Sequence, residues 1–118
     1  MIIGKIIINS SPDTSLCHIR KTETFFERGR GLLGCKGLEE GYGMLISPCN
    51  SIHTFFMKIP IDVVFLSNTN QILTIIHNMK PQRFSRSENA SSVLELMAGQ
   101  ANLSGLQNGD TLVWEPLQ

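Results

Sequence analysis

Apolar residues along this chain come in short runs of β type, several alternating with polar residues, and turn residues separate the runs. Ile2 to Ile8 is rich in isoleucine and stops at Asn9-Ser10-Ser11-Pro12-Asp13, which predicts a strand and then a loop. Leu16 to Lys21 alternates Leu16, His18 and Arg20 against Cys17, Ile19 and Lys21, the pattern of a short, edge-like strand. Met44 to Ser47 predicts a strand that ends at the turn Pro48-Cys49-Asn50-Ser51. Ile52 to Lys58 and Ile61 to Leu66 read as the central strands and meet at Lys58-Ile59-Pro60. Ser67-Asn68-Thr69-Asn70 is a turn, so Gln71 to Met79 is expected to pair back as a hairpin. Lys80 to Asn89 is polar and irregular. Val93 to Met97 predicts a strand, Gln100 to Leu106 one helical turn, Asn108-Gly109-Asp110 a tight turn, and Thr111 to Trp114 the last strand.

One longer helix is expected. Thr24-Phe25-Phe26-Glu27 fits a capping box, in which the threonine hydroxyl accepts from the Glu27 N–H and the glutamate reaches back. A helix from Phe25 to Leu33 then ends at Gly34, with Phe25, Phe26, Leu32 and Leu33 inward. Gly29 and Gly31 weaken it by about 1 kcal/mol each relative to alanine, so packing must hold it. The run Gly29 to Gly34 spells the dinucleotide fingerprint GxGxxG, but it lies inside the predicted helix. The chemistry needs a preceding strand, a following helix and an acidic residue about 20 positions on, and none is present. Seven or eight short strands with one or two short helices therefore predict a mostly β fold, a compact β-sandwich or pseudo-barrel. Too few crossover helices exist for a parallel α/β fold.

The 118 residues suit one domain, residues 1–118, able to fold without a disulfide or metal. Hydrophobic residues make up 42% and charged residues 17%, a globular composition. Lys plus Arg and Asp plus Glu both number 10, which removes the electrostatic footprint of a nucleic-acid binder. The cluster Lys80, Arg83 and Arg86 reads as a solvated loop. Cys17, Cys35 and Cys49 are an odd set without CxxC, so no secreted disulfide framework is expected. No secretory signal and no run of roughly 18 to 20 apolar residues is visible, and the cytoplasm is the expected location.

Several motifs taken in order carry a resemblance. They are Arg28-Gly29-Arg30-Gly31-Leu32-Leu33-Gly34, Gly43-Met44-Leu45-Ile46, Phe56-Met57-Lys58, Ile61-Asp62-Val63-Val64-Phe65, Val93-Leu94-Glu95-Leu96 with Gly99, and Gly109-Asp110. Together, from about Glu23 to Trp114, they resemble the domain of unknown function 192, also described as an uncharacterised ancient conserved region. The resemblance implies a compact, mostly β domain of sandwich or pseudo-barrel type and no particular activity. Many members look exported behind a leader; this chain shows none, so export does not carry over. The family's Trp-Met-Lys-Asn-Thr run is altered here: Phe56 replaces the tryptophan, and Lys58 leads straight to Ile59-Pro60. Pro48 to Thr54, with Cys49 and His53, looks like a cysteine- and histidine-bearing subtype.

Chemistry concentrates between Met44 and Leu66. In a regular strand Cys49 and His53 would lie about 13 Å apart at about 3.3 Å per residue, too far for one metal. The turn residues Pro48, Asn50 and Ser51 could fold them together, with a third ligand from His77, Asp62, Cys35 or Met57, a soft set suited to zinc or copper(I). The same pair could act as nucleophile and base if a positive neighbour lowered the thiol pKa. The plainer reading is a buried thiol and a histidine bonded to backbone.

Asp62 shares a face with Val64 and Leu66 in a strand apolar on both faces, so it is expected half-buried and paired with Lys58, Arg28 or Arg30. Such an ion pair would pin the helix to the sheet, or Asp62 would floor a cleft for a small anionic or peptidic ligand. Glu95 faces solvent or pairs with Arg83 or Arg86. Phe25, Phe26, Phe55, Phe56, Met57 and Phe65 read as core.

Three functions follow. The first is a ligand- or partner-binding accessory module without catalysis, its cleft lined by Arg28, Arg30, Cys49, His53, Lys58 and Asp62. The second is a zinc or copper domain using Cys49 and His53. The third is a small enzyme of unknown reaction. No cofactor, nucleic acid or membrane is expected. The partner would be a small molecule or a protein, and the chain a monomer or weak oligomer.

Overall fold

Nine strands and one short helix make up the described part of the chain. A computed structural model describes residues 2–22, 42–55 and 57–116. In chain order the strands are β1 (Ile2–Ile8), β2 (Ser11–Lys21), β3 (Gly43–Ile46), β4 (Ser51–His53), β5 (Ile61–Leu66), β6 (Ile72–Met79), β7 (Phe84–Arg86), β8 (Ser92–Met97) and, after helix α1 (Gln100–Leu103), β9 (Leu112–Pro116). The predicted helix Phe25–Leu33, with Arg28, Arg30, the GxGxxG run and Cys35, lies outside the described residues.

Seven strands form one sheet in the order β6-β5-β8-β3-β2-β1-β9. Every pairing in it is antiparallel except that of β2 with β3, which is parallel. The sheet curls until its two edges meet. Gln71, just before β6, bridges Thr111, just before β9. Ile72 donates to the Asp110 carbonyl at 2.7 Å and Leu112 to the Asn70 carbonyl at 2.9 Å. These bonds cover backbone groups that an open edge would leave bare. The expected mostly β, pseudo-barrel architecture with short helical content is the architecture observed.

Strand alternation divides the core in two. Ile6, Ile8, Leu16, Ile19, Leu45, Val64, Leu66, Leu94, Leu96 and Leu112 fill the concave side. Met44, Ile46, Val63, Phe65 and Val93 face outward and are roofed by Ile52, Met57 and Ala90. β5, apolar on both faces in sequence, is buried at all six positions because it sits between these two layers. Gly4 in β1 permits close packing on β9: a Cβ there would overlap the Trp114 indole and the Glu115 carbonyl.

Three elements depart from the pattern reading. The strand after Ile8 begins at Ser11, because a register shift between Ile7 and Ile8 leaves residues 12–14 outside the ladder, and the Pro12 turn signal becomes a bulge. Ile52 to Lys58 is not a central strand. Only Ser51–His53 is extended, and it pairs with β7 in a separate two-stranded sheet. Residues 80–89 are not wholly irregular, since they contain β7.

The second and third departures share one cause, Thr54. Fully buried, its hydroxyl donates to the Lys80 carbonyl at 2.6 Å and accepts from the Arg83 N–H at 2.9 Å. Its backbone N–H donates to the Arg83 carbonyl and its own carbonyl accepts from the Gln82 N–H. This clamp ends β4 and holds the polar segment against it.

Candidate functional site

Asp62, the sequence's most suggestive carboxylate, has 0% of its surface exposed. Opposite it, β6 carries a register shift between the pairs Ile61↔Met79 and Val63↔Ile76. Asn78 in that bulge adopts φ 55, a left-handed conformation asparagine tolerates. The bulge aims the Asn78 N–H at Asp62 Oδ1, 2.8 Å away. Asp62 Oδ2 accepts from the N–H groups of Gly99 and Ala101, both at 3.0 Å. Gly99 is the N-cap of α1 with φ 93, a region a side chain would strain. Asp62 is thus a cap supplied from across the fold, satisfying donors that a helix start leaves without partners. Its partners are backbone donors rather than the expected Lys58, and Lys58 itself is exposed. Arg28 and Arg30 lie outside the described residues. Half-burial was expected and full burial is found, because the inner core and α1 close over this end of β5.

Cys49 and His53 take different surroundings. Cys49 is half-buried at the outer core and its thiol donates to the Ser51 carbonyl at 3.0 Å. With Pro48, Asn50, Ala90 and Ser91 it lines an open depression of about 410 Å³. His53 is exposed and stacks on Phe55, ring centroids 5.3 Å apart. Among the described residues no three His, Cys, Asp or Glu side chains gather as metal ligands would. Glu95, expected toward solvent or Arg83 and Arg86, is instead 3% exposed, and its register places it beside Met44 and Val63 on the outer face.

A second cavity lies on the concave face. It measures about 420 Å³ and is lined by Lys21, Leu45, Ser47, Thr69, Asn70, Ser92, Thr111, Leu112, Val113 and Trp114. Asp62, Cys49, His53 and Lys58 are not among these walls. Alternation explains the lining. In the β3–β8 register Leu45↔Leu94 is an inner rung and Ile46↔Val93 an outer one. Ser92, paired with the inward Leu66 in the β5–β8 register, faces inward again, and Ser47, the residue after β3, lines the same cavity. Lys21 sits beside Leu45 in the adjoining β2–β3 register, two residues beyond the inward Ile19. Trp114 enters from β9, partly buried against the inner core.

Three residues with hydrogen-bond donors therefore line one cavity. Ser92 is only 4% exposed, yet its hydroxyl makes no hydrogen bond among the described residues. No fully buried side-chain N or O among them lacks a partner, so this hydroxyl keeps its contact with the cavity. Lys21 has no carboxylate partner among the described residues, where the ion pair present joins Lys5 and Glu115 at 3.7 Å on the surface. Sequence reading passed over these residues because each is ordinary alone. The inward parity of Lys21, Ser47 and Ser92 at strand ends was the available signal.

Comparison with known proteins follows the same outline. The profile of the DUF192 family, described as an uncharacterized ACR, matches residues 7–114. A UPF0127 protein of Thermococcus kodakarensis is 25% identical over 105 residues, spanning 85% of this chain and 66% of its own length, just under two thirds. A crystal structure of a protein of unknown function from Novosphingobium aromaticivorans superposes with a TM-score of 0.79 at 21% identity, over 96% of this chain and 85% of that one. That of a proposed transcription regulator from Sinorhizobium meliloti gives 0.80 at 23% identity, over 94% and 92%. At these identities the two structures speak for the fold alone.

Proposed function

The chain belongs to the DUF192 family, and we propose that it is a small-molecule-binding module without catalysis, its ligand held in the concave-face cavity. The observation that carries this is the nearly buried, unpartnered Ser92 hydroxyl turned into a 420 Å³ space. A hydroxyl with no protein partner that opens on the cavity can donate to a ligand's acceptor. The walls fit the role: an indole and three aliphatic side chains beside hydroxyls, an amide and one ammonium. None of the described lining residues is a histidine, cysteine, aspartate or glutamate. The Asp62 cleft expected from sequence has no part in this reading, since that carboxylate is spent on three backbone donors.

A fragment screen by thermal shift tests the proposal, run in parallel on Ser92→Leu, whose larger side chain would fill the cavity. Fragments that stabilise the parent and not Ser92→Leu support it. Fragments that stabilise both equally place binding elsewhere and refute it.

A further inference from the structure

The donors on the cavity wall also specify the charge of what binds there. Lys21 ends β2, Ser47 follows the last residue of β3 and Ser92 begins β8, three adjacent strands, and all three residues line the cavity. Between them they offer an ammonium and two hydroxyls, and no described lining residue carries a carboxylate to answer them. A cationic ligand would meet Lys21 with no counter-charge nearby. A sugar would find hydroxyls and an amide but no charged acceptor for its own hydroxyl groups. An oxyanion satisfies all three donors at once, and bonds to an ionised partner are the stronger kind. The remaining walls, Leu45, Leu112, Val113 and Trp114, are apolar.

Resting on the binding reading above, we propose that the ligand is a small organic anion. Its carboxylate or phosphate head contacts Lys21, Ser47 and Ser92, and its hydrocarbon or ring body lies against Trp114. The head sits at the strand ends and the body runs along β9. Ser92 and Lys21 are accordingly specificity-determining residues, which select the anion over a neutral molecule of the same shape.

The chain's one tryptophan lies in the site, so its emission reports binding there. The experiment titrates the full chain with hexanoate, hexyl phosphate and 1-hexanol, which share a six-carbon body and differ in the head. Either anion should bind at least about tenfold more tightly than the alcohol, the difference separating carboxylate from phosphate recognition. Lys21→Met should bring both anions down to the alcohol's level, and Ser92→Ala should weaken the anions by about threefold while leaving hexanol unchanged. Equal affinities for hexanoate, hexyl phosphate and hexanol in the parent would overturn the anion assignment and leave the cavity reading standing. If none of the three alters Trp114 emission at millimolar concentration, the cavity reading falls with it.

Discussion

Replacing Asp62 with asparagine changes one atom and tests the cap directly. The carboxylate accepts three N–H bonds, at 2.8 Å from Asn78 and at 3.0 Å from Gly99 and Ala101. An asparagine in the same place has one acceptor oxygen. Turned to Gly99 and Ala101, it keeps two bonds, and its NH2 group then confronts the Asn78 N–H, donor against donor. The lost charge-assisted bond is worth about 1.5–3 kcal/mol, and the two survivors weaken by about 1 kcal/mol each as the acceptor becomes neutral. Relief of the carboxylate's burial offsets part of this. The net expected loss is about 2–4 kcal/mol, a large fraction of the roughly 5–15 kcal/mol that holds a typical domain. Urea unfolding at neutral pH, followed by Trp114 emission, should show the midpoint falling by on the order of 1–2 M at a usual slope. Hydrogen exchange should show Gly99, Ala101 and Asn78 losing more protection than the amides of β8. Asp62→Ala, which leaves all three donors bare, should cost more than Asp62→Asn. A loss under about 1 kcal/mol for Asp62→Asn would refute the reasoning, because a carboxylate at the floor of a solvated cleft would tolerate the amide.

Other substitutions probe the supporting structure. Thr54→Val keeps the shape and removes the hydroxyl that joins the Lys80 carbonyl to the Arg83 N–H; it should cost about 2–3 kcal/mol in urea unfolding and speed exchange at Arg83 first. Gly4→Ala should destabilise by about 1–3 kcal/mol and shift the Trp114 emission maximum, since the new methyl group meets the indole. Phe84→Ser should change stability by less than about 0.5 kcal/mol, because that ring is 63% exposed on the small β4–β7 sheet.

Much of this architecture could be read in the sequence because burial imposes period two. The six apolar-flanked residues of β5 declared a strand covered on both faces, and Asp62 among them declared a buried polar requirement. What satisfies that requirement was not legible: Gly99 and Ala101 lie 37 and 39 positions away, and backbone donors leave no mark in side-chain identity. Ile52 to Lys58 was misjudged because an apolar run looks the same in a strand and in the short stretch that Thr54 clamps and ends. The pairing of β4 with β7 depends on that clamp and not on alternation. The cavity was invisible for a different reason. Its chemistry is divided among Lys21, Ser47, Ser92 and Trp114, residues that only the curl of the sheet brings together. Cys49 and His53 attracted attention as chemical types, yet one packs at the outer core and the other stacks in the open.

Amide chemical-shift mapping with hexanoate on isotope-labelled protein tests the binding account most directly. Saturable shifts centred on Lys21, Ser47, Ser92 and Trp114, and absent from Phe84 on the small sheet and from Phe55 just beyond it, are the predicted result. Shifts confined to the small sheet, or to the Cys49 depression, would contradict it.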